Sequence, residues 1–492
     1  MKKLIICLFS LVFMASCVDD LEEYNIDQKR ATSVPAVTLF TGATKNLADV
    51  LTTPNVNTNN YRFYVQHWTS TQYLDEPRYN MTSRLIPQNM WTTLYRDVLN
   101  DLKEAKRVIN EDETLAAGVK QNQLAQIEIM EVYTWSVLVN TFGDVPYTEA
   151  LDPQNALPVY DDAQTVYNDI LNRLDAAVEQ LDPAVAGFGK GGDILYGGNM
   201  TNWLKFGNSL KLKLGMVVAD VDNAKAKALA ESATAEGSGG VISSNAENAA
   251  FEYLSAPPNN NPISSNVKGP LSTREDYVAA NTLVDAMNER NDPRREFYFT
   301  FLDIKDDPKT SANEAFTGYR GGRYGFPNSF ATNSTVSAKV ADPTFEALLL
   351  DYAEVEFLLA EAVERGYNVG GTAMEHYNAG VTASITYWGG TAAQATAYLL
   401  QPSVNYLTAP GDWRQKIGTQ AWIALYNRGY DAWVTWRRLD APTLLPPVEG
   451  LVVPTRMIYP INEQTLNPAN NAAAGSSIGG DDSSTKLWWD VR

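Results

Sequence analysis

Histidine and cysteine are almost missing: the 492 residues hold two of each. His67 and His376 stand far apart, so a zinc site or a His-based catalytic triad lacks its ligands. Cys7 and Cys17 both sit at the front, which leaves the rest of the chain without disulfide or thiol chemistry. Positive charge is also scarce. Thirty-nine Lys and Arg against 58 Asp and Glu give a formal charge of −19, which argues against nucleic acid or bare anionic lipid as a partner. No apolar run after Phe13 approaches the roughly 20 residues of a membrane-spanning helix. There is no G-x-x-x-x-G-K-[ST] loop and no G-x-G-x-x-G; Gly318, Gly321, Gly322 and Gly325 stand among aromatics with no strand before them to build a phosphate cradle. Asp481 and Asp482 after Gly479 and Gly480 give no calcium coordination set, so neither metal nor cofactor is expected. Carboxylates are plentiful, and a two-carboxylate glycosidase therefore stays open on composition alone.

What is present begins with the N-terminus. Lys2 and Lys3 form a positive region, Leu4–Phe13 a short apolar one, and Ala15 and Ser16 are small residues before Cys17. Residues 1–16 read as a lipoprotein signal ending in a lipobox, with Met14 where Leu is more usual and Cys17 as the lipidated residue; a simple cleaved signal is the alternative. Several acyl chains would hold the chain on a membrane essentially permanently. Asp19, Asp20, Glu22 and Glu23 then make an acidic patch that resembles the export signal of Bacteroidota-type surface lipoproteins. Loss of Lys2 and Lys3 with the signal takes the formal charge from −19 to −21.

With 45% hydrophobic residues the chain can bury a large core. Residues 17–36 read as a lipidated tether and Val37–Leu51 as a first helix. Tyr61–Trp91 is rich in rings but interrupted by Pro77 and Pro87, which places several of those rings on turns. Apolar residues spaced by three and four then predict helices over Gln88–Ile109, Gln121–Phe142, Asp161–Leu181, Trp203–Val218 and Ala224–Ala233. The same spacing recurs at Asp351–Gly366, Thr372–Trp388 and Asp412–Leu439, and Ala441–Arg492 reads as a proline-punctuated tail over the surface. Helix, Gly-rich turn and helix repeat at about the size of tetratricopeptide hairpins. The loop-rich stretches near 55–90 and 250–340 are long enough to suggest function.

Several motifs in this order resemble the SusD/RagB-like nutrient-binding outer-membrane lipoproteins. They are TFGDVPYTEA at 141–150, WLKFGNSLKLKL at 203–214, NDPR at 291–294, the helix at 352–366, QAWIALYNRGYDAWVTWRRL at 420–439, PTRMIYPINE at 454–463 and LWWD at 487–490. The resemblance implies a mostly α fold, a single SusD-like helical body over 37–492 with tetratricopeptide-like hairpins, long loops and few short strands. It also implies a cell-surface, lipid-anchored place on the outer membrane, touching the bilayer through its lipid alone. As partner it implies a SusC-type TonB-dependent transporter, to which a captured oligosaccharide, or in some branches a peptide, is handed. The motif residues read as structural: Asp144 and Asp292 hold turns, Arg437 and Arg438 pin carboxylates between helices, and Trp422, Trp433, Trp436, Trp488 and Trp489 fill the core.

Recognition is then expected from aromatic rings, whose flat faces match the C–H face of a sugar while Arg, Asn or Asp supplies direction. Rings and arginines coincide with loops in two places, and the candidate ligand-binding residues are Tyr64, His67, Trp68, Tyr73, Arg78, Tyr79, Tyr319, Arg323, Tyr324 and Phe326. Aromatic segments also pack cores, so about half of these rings are expected to be buried. His376 reads as structural, and Glu354, Glu356 and Glu361 with Arg365 as a salt-linked packing helix, so no catalytic residue is assigned. The competing readings are a surface glycosidase and a scaffold lipoprotein that binds protein only.

Overall fold

The computed structural model describes residues 34–310 and 314–492. The signal over 1–16, Cys17 with its lipid, the acidic patch and all but the end of the 17–36 tether lie outside the described residues. From Ala36 onward the chain is built of helices, in hairpins as the spacing predicts.

Ala117–Phe142 packs on Ala163–Gln180, which packs on Met200–Val217, which packs on Asn223–Thr234. A second run stacks Tyr352–Glu364, Ala373–Trp388, Ala392–Leu399 and Trp413–Ala424, ending in Gly429–Leu439. The helix starts are set by polar side chains that accept from otherwise orphaned N–H groups. Asp162 accepts from Thr165 N, Asn199 from Asn202 N and Asp351 from Glu354 N, and full capping boxes form at Thr372/Glu375, Thr391/Gln394 and Asp412/Gln415. Between the first-run helix Ala117–Phe142 and the N-terminal helix Ala36–Thr52 lies Ile86–Glu111, where a π-helical stretch, Thr93–Leu99, interrupts the single α-helix expected from 88 to 109.

Other expectations are revised. Asp412–Leu439 is two helices, because Asn427 takes φ = 72° and its carbonyl and side chain both accept from Arg62. The C-terminal tail carries short helices Ile461–Leu466 and Pro468–Ser477, and Asn281–Glu289 is a helix in the stretch read as loop.

Among the described residues six short strands are scattered rather than stacked: β1 (Trp68–Ser70), β2 (Ala249–Phe251), β3 (Tyr277–Ala279), β4 (Leu302–Ile304), β5 (Phe316–Gly318) and β6 (Ala347–Leu350). They pair antiparallel as β1/β3, β2/β6 and β4/β5, with Trp68 opposite Ala279 and Phe251 opposite Ala347.

Charges tie the two helical runs together. Arg428 Nη2 donates to Glu354 at 2.6 Å and lies 2.8 Å from Asp431, while Lys213 reaches Glu354 at 2.9 Å, all nearly out of solvent. Desolvation of such buried charges offsets much of their attraction, while removing one partner would leave the others unpaired. Glu361 joins Arg365 at 2.9 Å and Arg438, and Glu356 binds His376 Nδ1 at 2.6 Å, so the salt-linked helix is as expected. Asp144 holds the turn after Phe142 by accepting from Ala163 N and Ser477 Oγ. Asp292 accepts from the backbone N–H and the guanidinium of Arg294, both fully buried.

Arg437 departs from its expected role. It donates to the carbonyls of Asn140 at 2.9 Å and Thr455 at 2.8 Å, and among the described residues no carboxylate pairs with it. The tail closes over the same place: Met457 N donates to Thr141 O, Arg456 to Phe142 O, and Trp489 Nε1 to Asn140 Oδ1 at 2.9 Å. Trp422, Trp433 and Trp489 are buried, while Trp436 and Trp488 pack partly exposed at the margin of the core.

Candidate functional site

The loop 322–328 bonds both strands of the β1/β3 pair, Gly322 next to β3 and Gly325 and Asn328 next to β1, and this brings the two ring-rich stretches together. Gly322 N donates to Ala279 O and Asn281 N to Gly322 O, both at 2.8 Å. Gly325 N reaches Thr69 Oγ1 at 3.2 Å, and Asn328 donates from its backbone to Thr71 O and from its side chain to Ser70 O. Arg78 Nε closes the junction on Gly325 O at 3.0 Å. Gly325 has φ = 72°, and a side chain there would collide with Pro447, so glycine is required where the loops cross.

Five of the candidates are core and do not offer a face to a ligand: Tyr64, His67, Trp68, Tyr79 and Tyr324 are all buried. Trp68 Nε1 donates to Tyr426 Oη at 3.2 Å beneath the Arg62 guanidinium, and Tyr324 Oη donates to Phe63 O at 2.6 Å. His67 Nε2 meets Trp422 O at 3.1 Å while Nδ1 has no partner among the described residues. Burial lowers His67 to about 3 and holds the phenols of Tyr64, Tyr79 and Tyr324 above their ordinary value. These groups support the site from below.

The remaining candidates lie nearer the surface, Tyr73 and Arg323 exposed and Arg78, Tyr319 and Phe326 half-buried. Tyr73 is 48% exposed, and the Arg84 guanidinium lies 5.6 Å from its ring centre. Arg84 in turn pairs with the fully buried carboxylate of Glu76. An exposed ring is thereby fixed through a cation anchored in the core. Phe326, half-buried, lies between Arg78 at 5.7 Å and the exposed Arg323 at 3.6 Å. Tyr319 joins a different patch, between Phe301 at 5.4 Å and Arg295 at 5.6 Å. Phe301 is 60% exposed.

Sequence reasoning missed Arg84 and Phe301. Arg84 carries no spacing signal, and Phe301 stands apart from the two aromatic clusters.

The resulting face offers flat rings flanked by guanidinium donors, which suits a ligand with alternating apolar faces and hydroxyl rims. Its nearby carboxylates are engaged: Asp75 accepts from Ser83 Oγ and Glu76 from Arg84. Asp481 binds Arg456 and Tyr459 N, and among the described residues no group of three or more His, Cys, Asp and Glu is placed to hold a metal ion.

Comparison with known proteins matches this architecture. No curated protein sequence matches the chain. A chitin-binding protein of known structure is 27% identical with a TM-score of 0.77, the match covering 93% of this chain and 100% of that one. A SusD homologue from Bacteroides uniformis is 28% identical with a TM-score of 0.74 over 92% and 99% of the two chains. A chitin-binding SusD homologue from Flavobacterium johnsoniae is 26% identical with a TM-score of 0.74 over 93% and 98%. The model of the SusD-like family, described as starch-binding and associating with the outer membrane, matches residues 28–460, and on that match the chain belongs to the SusD-like family.

Proposed function

We propose that this chain is a noncatalytic lipoprotein of the cell surface, anchored through Cys17, that captures an oligosaccharide on the Tyr73–Phe326 face and delivers it to a SusC-type TonB-dependent transporter. The observation that carries the reading is the pair of presented rings, Tyr73 set by Arg84 and Phe326 set between Arg78 and Arg323, over a rigid buried layer. Preorganised rings bind with little loss of side-chain freedom, and the guanidinium groups direct hydroxyl oxygens around them. The family's starch-binding description and the chitin-binding names of two structural neighbours support a glycan over other ligands.

The test is calorimetry of the chain against starch, chitin and other oligosaccharides alongside peptide digests. Tyr73→Ala and Phe326→Ala are each expected to weaken glycan binding about tenfold, roughly 1.4 kcal/mol, while the buried Tyr324→Phe changes it little. A response to peptides with silence across glycans would move the protein to peptide capture. Release of sugar products would revive the glycosidase reading, and unchanged affinity in both ring variants would remove the site from this face. The transporter step is checked by co-purification with a barrel after mild detergent extraction.

A further inference from the structure

The arginines of this acidic chain show where its positive charge is left without a counter-charge. Among the described residues, each arginine outside the buried core forms an ion pair with Asp or Glu, except Arg78, Arg295 and Arg323. Arg295 is engaged in another way, donating from Nε to Asp292 O and from Nη1 to Asn288 Oδ1, both at 2.9 Å. The other two stand over one side chain. The guanidinium carbons of Arg323 and Arg78 lie 3.6 Å and 5.7 Å from the centre of the Phe326 ring.

The pair keeps its donors open. Arg78 uses Nε on Gly325 O at 3.0 Å, and among the described residues neither of its Nη groups nor any nitrogen of Arg323 has a protein acceptor. The carboxylates on neighbouring segments do not answer them. Asp75 accepts from Ser83 Oγ at 3.0 Å, Glu76 pairs with Arg84, and Asp276 pairs with Arg274 at 2.8 Å. Glu449, on the loop whose Pro447 abuts Gly325, forms no ion pair among the described residues. Two like charges over one ring repel each other, and an anion placed between them relieves that repulsion. A guanidinium resting on an aromatic face also keeps the N–H edge in its own plane free, the edge that takes two oxygens of one oxyanion by parallel bonds.

We infer that the oligosaccharide captured on this face is anionic, with a carboxylate or sulfate ester received by Arg78 and Arg323. This rests on the capture reading above and narrows its ligand class. A neutral glycan would leave both guanidinium groups to water. The chain as a whole, at −19, repels an anion, so tight binding of one requires a local site such as this.

Calorimetry of the full chain with matched probes tests this: oligogalacturonate against its methyl ester, and sulfated galactan oligosaccharides against their desulfated product, with starch and chitin oligosaccharides as further neutral probes. A charged probe is expected to bind saturably and about tenfold or more tighter than its neutral match, and the pair that responds distinguishes carboxylate from sulfate. Arg323→Gln loses no hydrogen bond within the protein, so its melting temperature should hold while the charged probe weakens about fivefold. Arg78→Gln with Arg323→Gln should weaken it about tenfold or more, whereas Arg96→Gln with Arg107→Gln, which removes the same charge from another helix, should leave it unchanged. Three results would each overturn the inference while leaving glycan capture standing: neutral glycans bound with every charged probe silent, equal affinity within both matched pairs, or charged-probe affinity that survives the Arg78/Arg323 double substitution. Silence across every probe, charged and neutral, would overturn the capture reading with it.

Discussion

Lowering the pH from 7 to 5 should destabilise this protein through His67 alone by about 2 kcal/mol. Its ring is fully buried, tilted against Trp422 at 5.2 Å and Tyr426 at 5.8 Å, with Nε2 on a carbonyl and Nδ1 on no partner among the described residues. Burial leaves no water for a charged imidazole, and the nearby Arg62 repels one, which is why the group falls from 6.5 to about 3. The sign follows from linkage. The unfolded chain takes up the proton below its ordinary value near 6.5, while the folded chain refuses it until about 3, so stability is intact above 6.5 and is lost as the pH falls through that window. Each pH unit well inside the window costs about 1.36 kcal/mol, and from 7 to 5 roughly one and a half units count.

His67→Gln keeps an N–H able to reach Trp422 O and removes the titration. The check is the free energy of urea unfolding of both proteins at the two pH values, where the native chain should lose about 2 kcal/mol more than the variant. With His376 as the other histidine, ring-proton signals give a second readout. Burial opposes the charge of His376, but Glu356 and the Gly370 carbonyl outweigh it and hold the group above its ordinary value, so the two rings should titrate far apart. A difference below about 0.5 kcal/mol between the proteins, or a His67 signal titrating near 6.5, would show an accessible ring and refute the reasoning.

Asp292→Ala leaves the guanidinium of Arg294 buried without its carboxylate and is expected to cost about 3–5 kcal/mol, read as a lowered melting temperature. Asp292→Asn, which keeps an acceptor, should cost less. Gly429→Ala would place a methyl 2.7 Å from Arg62 N and 3.0 Å from Tyr61 C, so the short helix Tyr61–Tyr64 must back away from Gly429–Leu439, at about 1–3 kcal/mol by the same measurement.

The helices were legible because their buried faces follow the three-and-four spacing, and the hairpin order followed from short Gly- and Asn-marked turns. What escaped depended on distant partners. The break near Asn427 has no proline before it and exists because Arg62, far away in sequence, takes both its oxygens. At the site, residue type could not separate Tyr73 from Tyr79, although one is 48% exposed and the other 8%. Tyr79 is turned inward in the left-handed region at φ = 67° and covered by Tyr324, a contact across more than two hundred residues. The meeting of the two ring-rich loops rests on Arg78 and Gly325, and no local pattern announces a bond from a side chain to one distant carbonyl.

The way Trp489, Arg456 and Met457 lock onto Asn140, Phe142 and Thr141 sets an order in time as well as in space. The end of the long helix Ala117–Phe142 emerges from the ribosome early, yet the groups that satisfy its last carbonyls are made among the final residues. Contacts of such sequence separation form late, because a long loop must close before they reward the chain. Until then the hairpins of the first run can assemble locally while Arg437, wedged between Asn140 and Thr455, lacks one of its two acceptors. The C-terminal end of the helix Ala117–Phe142 therefore gains its partners only when residues 437–489 have folded back onto it.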